Sequence, residues 1–174
     1  MGSPPPARTR LDAAFLAYFA SHIPITLLVD VVPLLPENAI PAPLLALNGH
    51  LTGVLGDPFM VVGPARTDLT WFRSMLVCEL VLQLPFFFYA VWALWTSSPR
   101  RHLPLLVYGV HVSTTMVPIL GTLLRGAIDR TCRERALLAA LYLPYLLIPL
   151  LLVATSYRQC ARALAAACTK RKTK

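Results

Sequence analysis

Four long apolar runs alternate with polar segments along the chain, at residues 11–32, 71–96, 103–124 and 136–157. Each has about 20 residues, and at ~1.5 Å per residue a helix of that length crosses the ~30 Å hydrocarbon core of a bilayer. The pattern predicts an all-α integral membrane protein built as a four-transmembrane-helix bundle. A cleaved signal peptide is the alternative for the first run. That run is longer than the usual apolar core of about 7–15 residues, so we expect it to be retained.

The polar segments divide the chain into three parts. Residues 1–10 form a Pro-rich basic leader, residues 11–157 the single transmembrane domain, and residues 158–174 a basic tail. The longest internal connection, residues 33–70, contains two short apolar pieces that cannot span a bilayer. We expect these pieces to lie on the membrane surface or to cap the bundle.

Composition agrees with a membrane location and excludes several functions. The chain is 56% hydrophobic and 14% charged, with a formal net charge of +8. The cations cluster at the termini and between the apolar runs, so anionic lipid headgroups are the expected partner and nucleic acid is not. The four cysteines have no C-x-x-C or zinc-type spacing, and no metal-ligand or phosphate-loop motif occurs, so we expect no metal and no cofactor. Cys160 and Cys168 follow the last run and are candidates for acylation.

Charge also predicts orientation. Four spans place both termini on one side, and most of the 16 Lys and Arg residues then fall on that side. The positive-inside rule makes it cytosolic, although the Arg-rich connector at 125–135 argues the other way. The end of the tail, Arg171 to Lys174, resembles a dilysine-type retrieval signal and suggests the endoplasmic reticulum membrane. A merely basic tail is the alternative.

Each apolar run carries polar residues three or four positions apart, which lie on one helical face. We expect the four polar faces to turn inward, away from lipid, and the prolines within the runs to kink the helices around an intramembrane pocket. The polar sets are Tyr18, His22, Thr26 and Asp30; Glu79 and Gln83; Tyr108, His111 and Thr115; and Tyr142 and Tyr145.

The expected distance from the membrane interface places two of these residues near each other. Asp30 and Glu79 lie roughly 5 and 12 Å from the luminal interface on antiparallel helices, by the rise of an α-helix. Both carboxyls therefore fall in the same leaflet, with His22 and His111 nearer the middle as an expected floor. Asp30, nearer water, is the better partner for a cationic amine. The alternatives are an Asp30 that sits in the wet interface and a Glu79 with a structural role only.

Several sequence blocks resemble a known family. Ser21–Asp30 (SHIPITLLVD), Gly56–Pro58 (GDP), Trp71–Phe87, Tyr108–Leu120 and Tyr142–Leu152 are similar to the sigma-2 receptor family, transmembrane protein 97, of the EXPERA superfamily. The emopamil-binding sterol isomerases are distant relatives. The resemblance implies a multi-pass endoplasmic reticulum protein that forms homodimers, binds sterols and cationic amphiphilic amines, and is linked to cholesterol homeostasis and to a lysosomal cholesterol transporter.

The same resemblance implies roles for individual residues. Asp30 would form the salt bridge with the amine, and Glu79 would hydrogen-bond Asp30 and hold it in place. Asp57 would be a structural acid in the luminal loop. The remaining expected ligand-binding residues are His22, Met60, Gln83, Tyr108, Thr115 and Tyr145.

Two functions from different classes follow. The first is a non-catalytic receptor for sterols and amines, which we expect. The alternative is a sterol Δ8–Δ7 isomerase, whose reaction needs an acid to protonate the alkene and a base to remove a neighbouring proton. Glu79, His22 and His111 are of the right residue types for that chemistry.

Overall fold

The computed structural model describes residues 9–62, 69–125 and 131–172, which are helical or irregular and include no strand. Most of the predicted leader, residues 126–130 of the Arg-rich connector, and the last two residues of the retrieval-like sequence lie outside these ranges. The described part of the chain contains seven α-helices: α1 (Arg10–Ile25), α2 (Ala42–Leu55), α3 (Thr70–Cys78), α4 (Leu84–Trp95), α5 (His102–Leu124), α6 (Cys132–Tyr142) and α7 (Pro144–Lys172).

Four continuous helical segments are long and apolar enough to cross a membrane, as the hydrophobic pattern predicted. They are Arg10–Leu34, Thr70–Trp95, Pro99–Leu124 and Cys132–Arg171. The fourth extends beyond the predicted 136–157 at both ends, because α6 begins earlier and α7 continues through the basic tail. The predicted all-α, four-helix fold class is confirmed.

The first two spans each contain one π-helical turn, at Thr26–Asp30 and at Glu79–Gln83. In the first, the Val31 N–H bonds to the Thr26 carbonyl at 3.0 Å, five residues back. Pro24 lies just before one turn and Pro85 just after the other. Because proline lacks an N–H, it interrupts the ordinary helical ladder and favours such local rearrangements. The two acids thus lie at irregular turns next to prolines.

The segment between the first two spans contains α2, which was not predicted as a single helix. The two apolar pieces at 44–47 and 51–55 are parts of it. The helix ends at Gly56, whose φ of 64° is the left-handed conformation that glycine adopts without strain. The chain then turns back, and α2 with residues 56–60 covers one end of the bundle. We call residues 42–60 the roof.

The most extensive helix packing in the described structure is between α5 and α7. It depends on Gly109, where an added Cβ would lie 2.9 Å from the Pro149 carbonyl oxygen and 2.8 Å from Cγ2 of Val153. Only a residue without a side chain allows this approach. On the other side of the bundle, α1 packs against α4.

An ion pair joins the first and third spans at the end of the bundle opposite the roof. Arg101 Nη2 lies 3.3 Å from Asp12 Oδ1, and Arg101 Nη1 donates to the Ser98 carbonyl at 3.0 Å. Asp12 also completes the capping box of α1 with Thr9. Arg101 stands in a polar stretch of the sequence, yet it is only 7% exposed.

Candidate functional site

A cavity of about 190 Å³ lies between the four spans and beneath the roof. Its wall is largely apolar, with Leu76, Val112, Met116 and Ile119 among the contributing side chains. The structure brings together around it all nine residues that the sequence singled out as ligand-binding or structural: His22, Asp30, Asp57, Met60, Glu79, Gln83, Tyr108, Thr115 and Tyr145.

The π-helical turns explain why residues four apart stay on one face. Four residues of α-helix rotate through about 400°, so three such steps would move Asp30 about 120° around the helix from Tyr18. A π-helical turn has more residues per turn, because its hydrogen bonds join residues five apart. The step from Thr26 to Asp30 therefore comes closer to a full rotation and keeps Asp30 facing the cavity. Glu79 and Gln83 gain the same alignment from the second turn.

Asp30 and Glu79 are in hydrogen-bonding contact across the cavity, and Thr26 contacts both. The Thr26 hydroxyl donates to Glu79 Oε1 at 2.7 Å. A hydrogen bond between two carboxyls requires a proton on one of them, because an ionised carboxylate can only accept. The arrangement therefore suits one anion and one neutral acid, with a single negative charge between them.

Asp57 anchors the roof to the fourth span. Its Oδ2 accepts a hydrogen bond of 2.6 Å from the Tyr142 hydroxyl, and its Oδ1 accepts one of 2.9 Å from the Phe59 N–H. Burial raises the pKa of the Asp57 carboxyl, and these two bonds, with one from the Met60 N–H, oppose that rise. The Phe59 ring stacks on Phe72 at a centroid distance of 4.8 Å. These contacts join the roof to α6 and α3.

The end of the cavity away from the roof is lined by Tyr18, Tyr108 and His22. The two tyrosine hydroxyls lie 3.3 Å apart, and His22 Nδ1 lies 3.1 Å from the Tyr18 carbonyl oxygen. The aromatic rings of Phe19 and Phe86 pack against Tyr108 from outside the cavity. This end is therefore rigid and aromatic, with two hydroxyl groups.

The expectation that both His22 and His111 form the floor of the cavity is wrong for His111. His111 is not among the lining residues; its Nε2 lies 3.5 Å from Nε2 of Gln83, which does line the cavity. The three-residue spacing from Tyr108 places His111 on the same broad face of α5, but it does not decide whether the side chain reaches the cavity. His111 contacts Gln83 on the side of Gln83 that is away from the cavity.

The sequence reasoning missed the polar residues of the roof. Asn48 and Thr52 line the cavity from α2, and Asn48 is only 4% exposed. They stand four apart in an apolar stretch, which is the spacing that identified the polar faces of the spans. The spacing was therefore present in the sequence, but residues 42–55 were not predicted to form a single helix. In the described residues, no group of three or more His, Cys, Asp or Glu side chains could hold a metal ion.

Comparisons with known proteins agree with this architecture. The family model of EXPERA, the expanded EBP superfamily, matches residues 46–156. Sigma intracellular receptor 2 of Xenopus tropicalis is 39% identical over 153 residues, covering 83% of this chain and 86% of that protein. The human sigma intracellular receptor 2 is 40% identical over 147 residues, covering 78% and 81%.

A more distant similarity extends to fungi. Efficient mitochondria targeting-associated protein 19 of Saccharomyces cerevisiae is 32% identical over 156 residues, covering 78% of this chain and 91% of that protein. The family model covers the last three spans and most of the roof, and these relatives each match at least 78% of the chain. The chain therefore belongs to the EXPERA superfamily and, within it, to the sigma-2 receptor family.

Proposed function

We propose that this protein is an intracellular membrane receptor that binds sterols and cationic amphiphilic amines in the cavity between its four spans. The observation that carries the proposal is the contact between Asp30 and Glu79 in a cavity whose wall is otherwise mainly apolar. An apolar cavity with a few convergent polar groups is the usual form of a small-molecule site. One negative charge within it matches a ligand with one positive charge and a large apolar body.

In this proposal the two acids have different tasks. Asp30 carries the charge and forms the salt bridge with the ammonium group. Glu79, held by the Thr26 hydroxyl at 2.7 Å, donates its proton to Asp30 and orients it. Gln83, Thr115, Tyr108, Tyr145, His22 and Met60 line the space around the apolar body of the ligand.

The cellular part of the proposal follows family membership. The receptor acts in cholesterol homeostasis in the endoplasmic reticulum membrane, with both termini in the cytosol. A second copy of the chain and a lysosomal cholesterol transporter are its proposed protein partners. Crosslinking of the full-length protein in native membranes tests the first partner, and affinity capture of that transporter with the protein tests the second.

Substitution of the acids tests the ligand site. The full-length protein in phosphatidylcholine nanodiscs is titrated with labelled N,N-dimethylhexadecylamine, a cationic amphiphile, against empty nanodiscs. Asp30→Asn should weaken binding about 100-fold, because the partner charge is lost from a desolvated site. Glu79→Gln should weaken it less, about tenfold, because Asp30 keeps its charge. The exposed acid Glu37 provides the control, and Glu37→Gln should bind normally. Unchanged affinity in Asp30→Asn would refute the salt bridge.

Sterol isomerisation is the second candidate, because Glu79 and His22 line the same cavity and could serve as acid and base. We propose that the protein lacks this activity. Incubation of the purified protein with a Δ8-sterol, followed by chromatography for the Δ7 product, separates the two functions. Product formation that disappears in Glu79→Gln would make the protein an enzyme.

A further inference from the structure

The roof contains a buried amide whose orientation is determined by its surroundings. Asn48 Nδ2 lies 3.0 Å from the Met60 carbonyl oxygen. A carbonyl oxygen can only accept a hydrogen bond, so the side-chain nitrogen must face Met60 and the side-chain oxygen must point the other way. The amide therefore bridges α2 to the turn that follows it, with its nitrogen already used.

The oxygen of the same amide is directed into the cavity. Among the described residues, the Asn48 side chain forms one hydrogen bond, from Nδ2 to Met60, and no donor contacts its Oδ1. Within those ranges, the one fully enclosed side-chain atom without a partner is Nε of Arg101, so Oδ1 is in contact with open space. Because Asn48 is 4% exposed and lines the cavity, that space is the cavity itself.

The neighbouring groups of the roof offer no donor either. The Thr52 hydroxyl already donates to the Asn48 carbonyl at 2.9 Å. Asp57 accepts from Tyr142 and Phe59, so it is an acceptor in this arrangement. A buried acceptor without a partner is unfavourable, and a ligand that supplies a donor removes that penalty. The roof is thus complementary to a hydroxyl group.

We propose that Asn48 Oδ1 accepts a hydrogen bond from the hydroxyl group of a sterol, so that the sterol lies in the cavity with its hydroxyl end at the roof. The inference rests on the proposed receptor function and names the ligand group that the roof selects. An ammonium group binds at the charged Asp30, whereas the neutral amide suits a neutral hydroxyl. Sterols with a free hydroxyl are preferred over those in which it is oxidised to a ketone.

A pair of sterols that differ only at this group tests the proposal. Cholestanol carries a hydroxyl and cholestanone a ketone, and each is tested for displacement of labelled N,N-dimethylhexadecylamine from the full-length protein in nanodiscs. The ratio of their affinities is measured because a general disturbance of the roof affects both sterols alike. The wild-type protein should prefer cholestanol about tenfold, as expected for one hydrogen bond and one avoided clash of acceptors.

Two substitutions of Asn48 separate its two contacts. Asn48→Leu removes the acceptor and should bring the ratio close to one. Asn48→Asp keeps an acceptor oxygen but loses the amide donor to Met60, and should retain the preference. Asn38 is exposed in the described structure, so Asn38→Leu is the matched control and should behave as wild type.

Each other outcome refutes the inference. If Asn48→Leu keeps the preference for cholestanol, or the wild type has no such preference, the roof does not recognise the hydroxyl group. If both Asn48 variants lose it, the bond to Met60 shapes the roof and Oδ1 is not the acceptor. In each of these cases the proposed receptor function is still supported if the protein binds the amine and this binding depends on Asp30. If the wild type binds neither sterol nor amine, both proposals fail.

Discussion

The Tyr142 hydroxyl donates a 2.6 Å hydrogen bond to Asp57, which joins two residues 85 positions apart in the chain. Asp57 is 5% exposed and belongs to the turn that follows α2, whereas Tyr142 is the last residue of α6. The bond holds the roof over the cavity. Its removal should therefore loosen the roof without altering the four spans.

Tyr142→Phe removes the hydroxyl and keeps the ring. We expect the free energy of unfolding to fall by about 2 kcal/mol, as for the loss of a hydrogen bond that leaves a buried acceptor without its partner. Thermal or denaturant unfolding in detergent micelles measures this change. Tyr157 is 63% exposed, so Tyr157→Phe is the control and should change stability little. Equal stability of the two variants would mean that the bond does not hold the roof.

The π-helical turn at Thr26–Asp30 should be necessary for ligand binding. Deleting Leu28, which is exposed on the outer surface, removes one residue from the turn and rotates Asp30 by about 100° relative to α1. We expect amine affinity to fall about 100-fold, as in Asp30→Asn, while circular dichroism reports unchanged helix content. Leu28→Ala keeps the register and should bind normally. Normal affinity in the deletion variant would contradict this role.

Arg101 and Asp12 should be energetically coupled. Removing either charge leaves the other without its partner in a site where the side chains are 9% and 13% exposed. Arg101→Met and Asp12→Asn should each lower the free energy of unfolding by about 3 kcal/mol. The double variant should lose less than the sum, by about 1–3 kcal/mol. Arg100→Met, at an exposed neighbour, is the control. Additive losses would show that the pair does not interact.

Two glycines of α5 should respond to alanine in opposite directions. A Cβ at Gly109 meets the Pro149 carbonyl oxygen at 2.9 Å, and the backbone of α7 can relieve that contact only by moving away. Gly109→Ala should destabilise the protein by about 1–3 kcal/mol. At Gly121 a Cβ meets no atom within 4 Å, so Gly121→Ala should be neutral or stabilise by up to about 1 kcal/mol through helix propensity. Unfolding midpoints measure both, and destabilisation by Gly121→Ala would contradict this view.

Much of the candidate site could be predicted from spacing alone. Neighbours four positions apart, such as Tyr18 and His22, share a face because helical periodicity and the cost of polar groups in lipid are local effects. His111 satisfied the same rule and still lies outside the cavity, because periodicity identifies a face about 100° wide and not a direction within it. The roles of these residues in ligand binding stay predictions.

Other features had no local signal. Arg101 stands two residues after Pro99 in a polar turn, and its partner Asp12 lies 89 positions away. A π-helical turn differs from an α-helix by one hydrogen-bond register, which no residue type specifies, so neither turn was predicted. The contact between Asn48 and Met60 exists only because the chain reverses at Gly56.

The order of apolar and polar residues by itself determined four membrane-spanning helices and a polar face on each, because hydrocarbon tolerates neither unpaired backbone groups nor exposed charges. Only the tertiary structure decided which polar face meets which. The bond from Thr26 to Glu79 joins residues 53 positions apart, and the pair of Tyr18 and Tyr108 spans 90. Such contacts depend on the rotation and crossing of whole helices, which are set by packing throughout the bundle and not by the residues that finally touch.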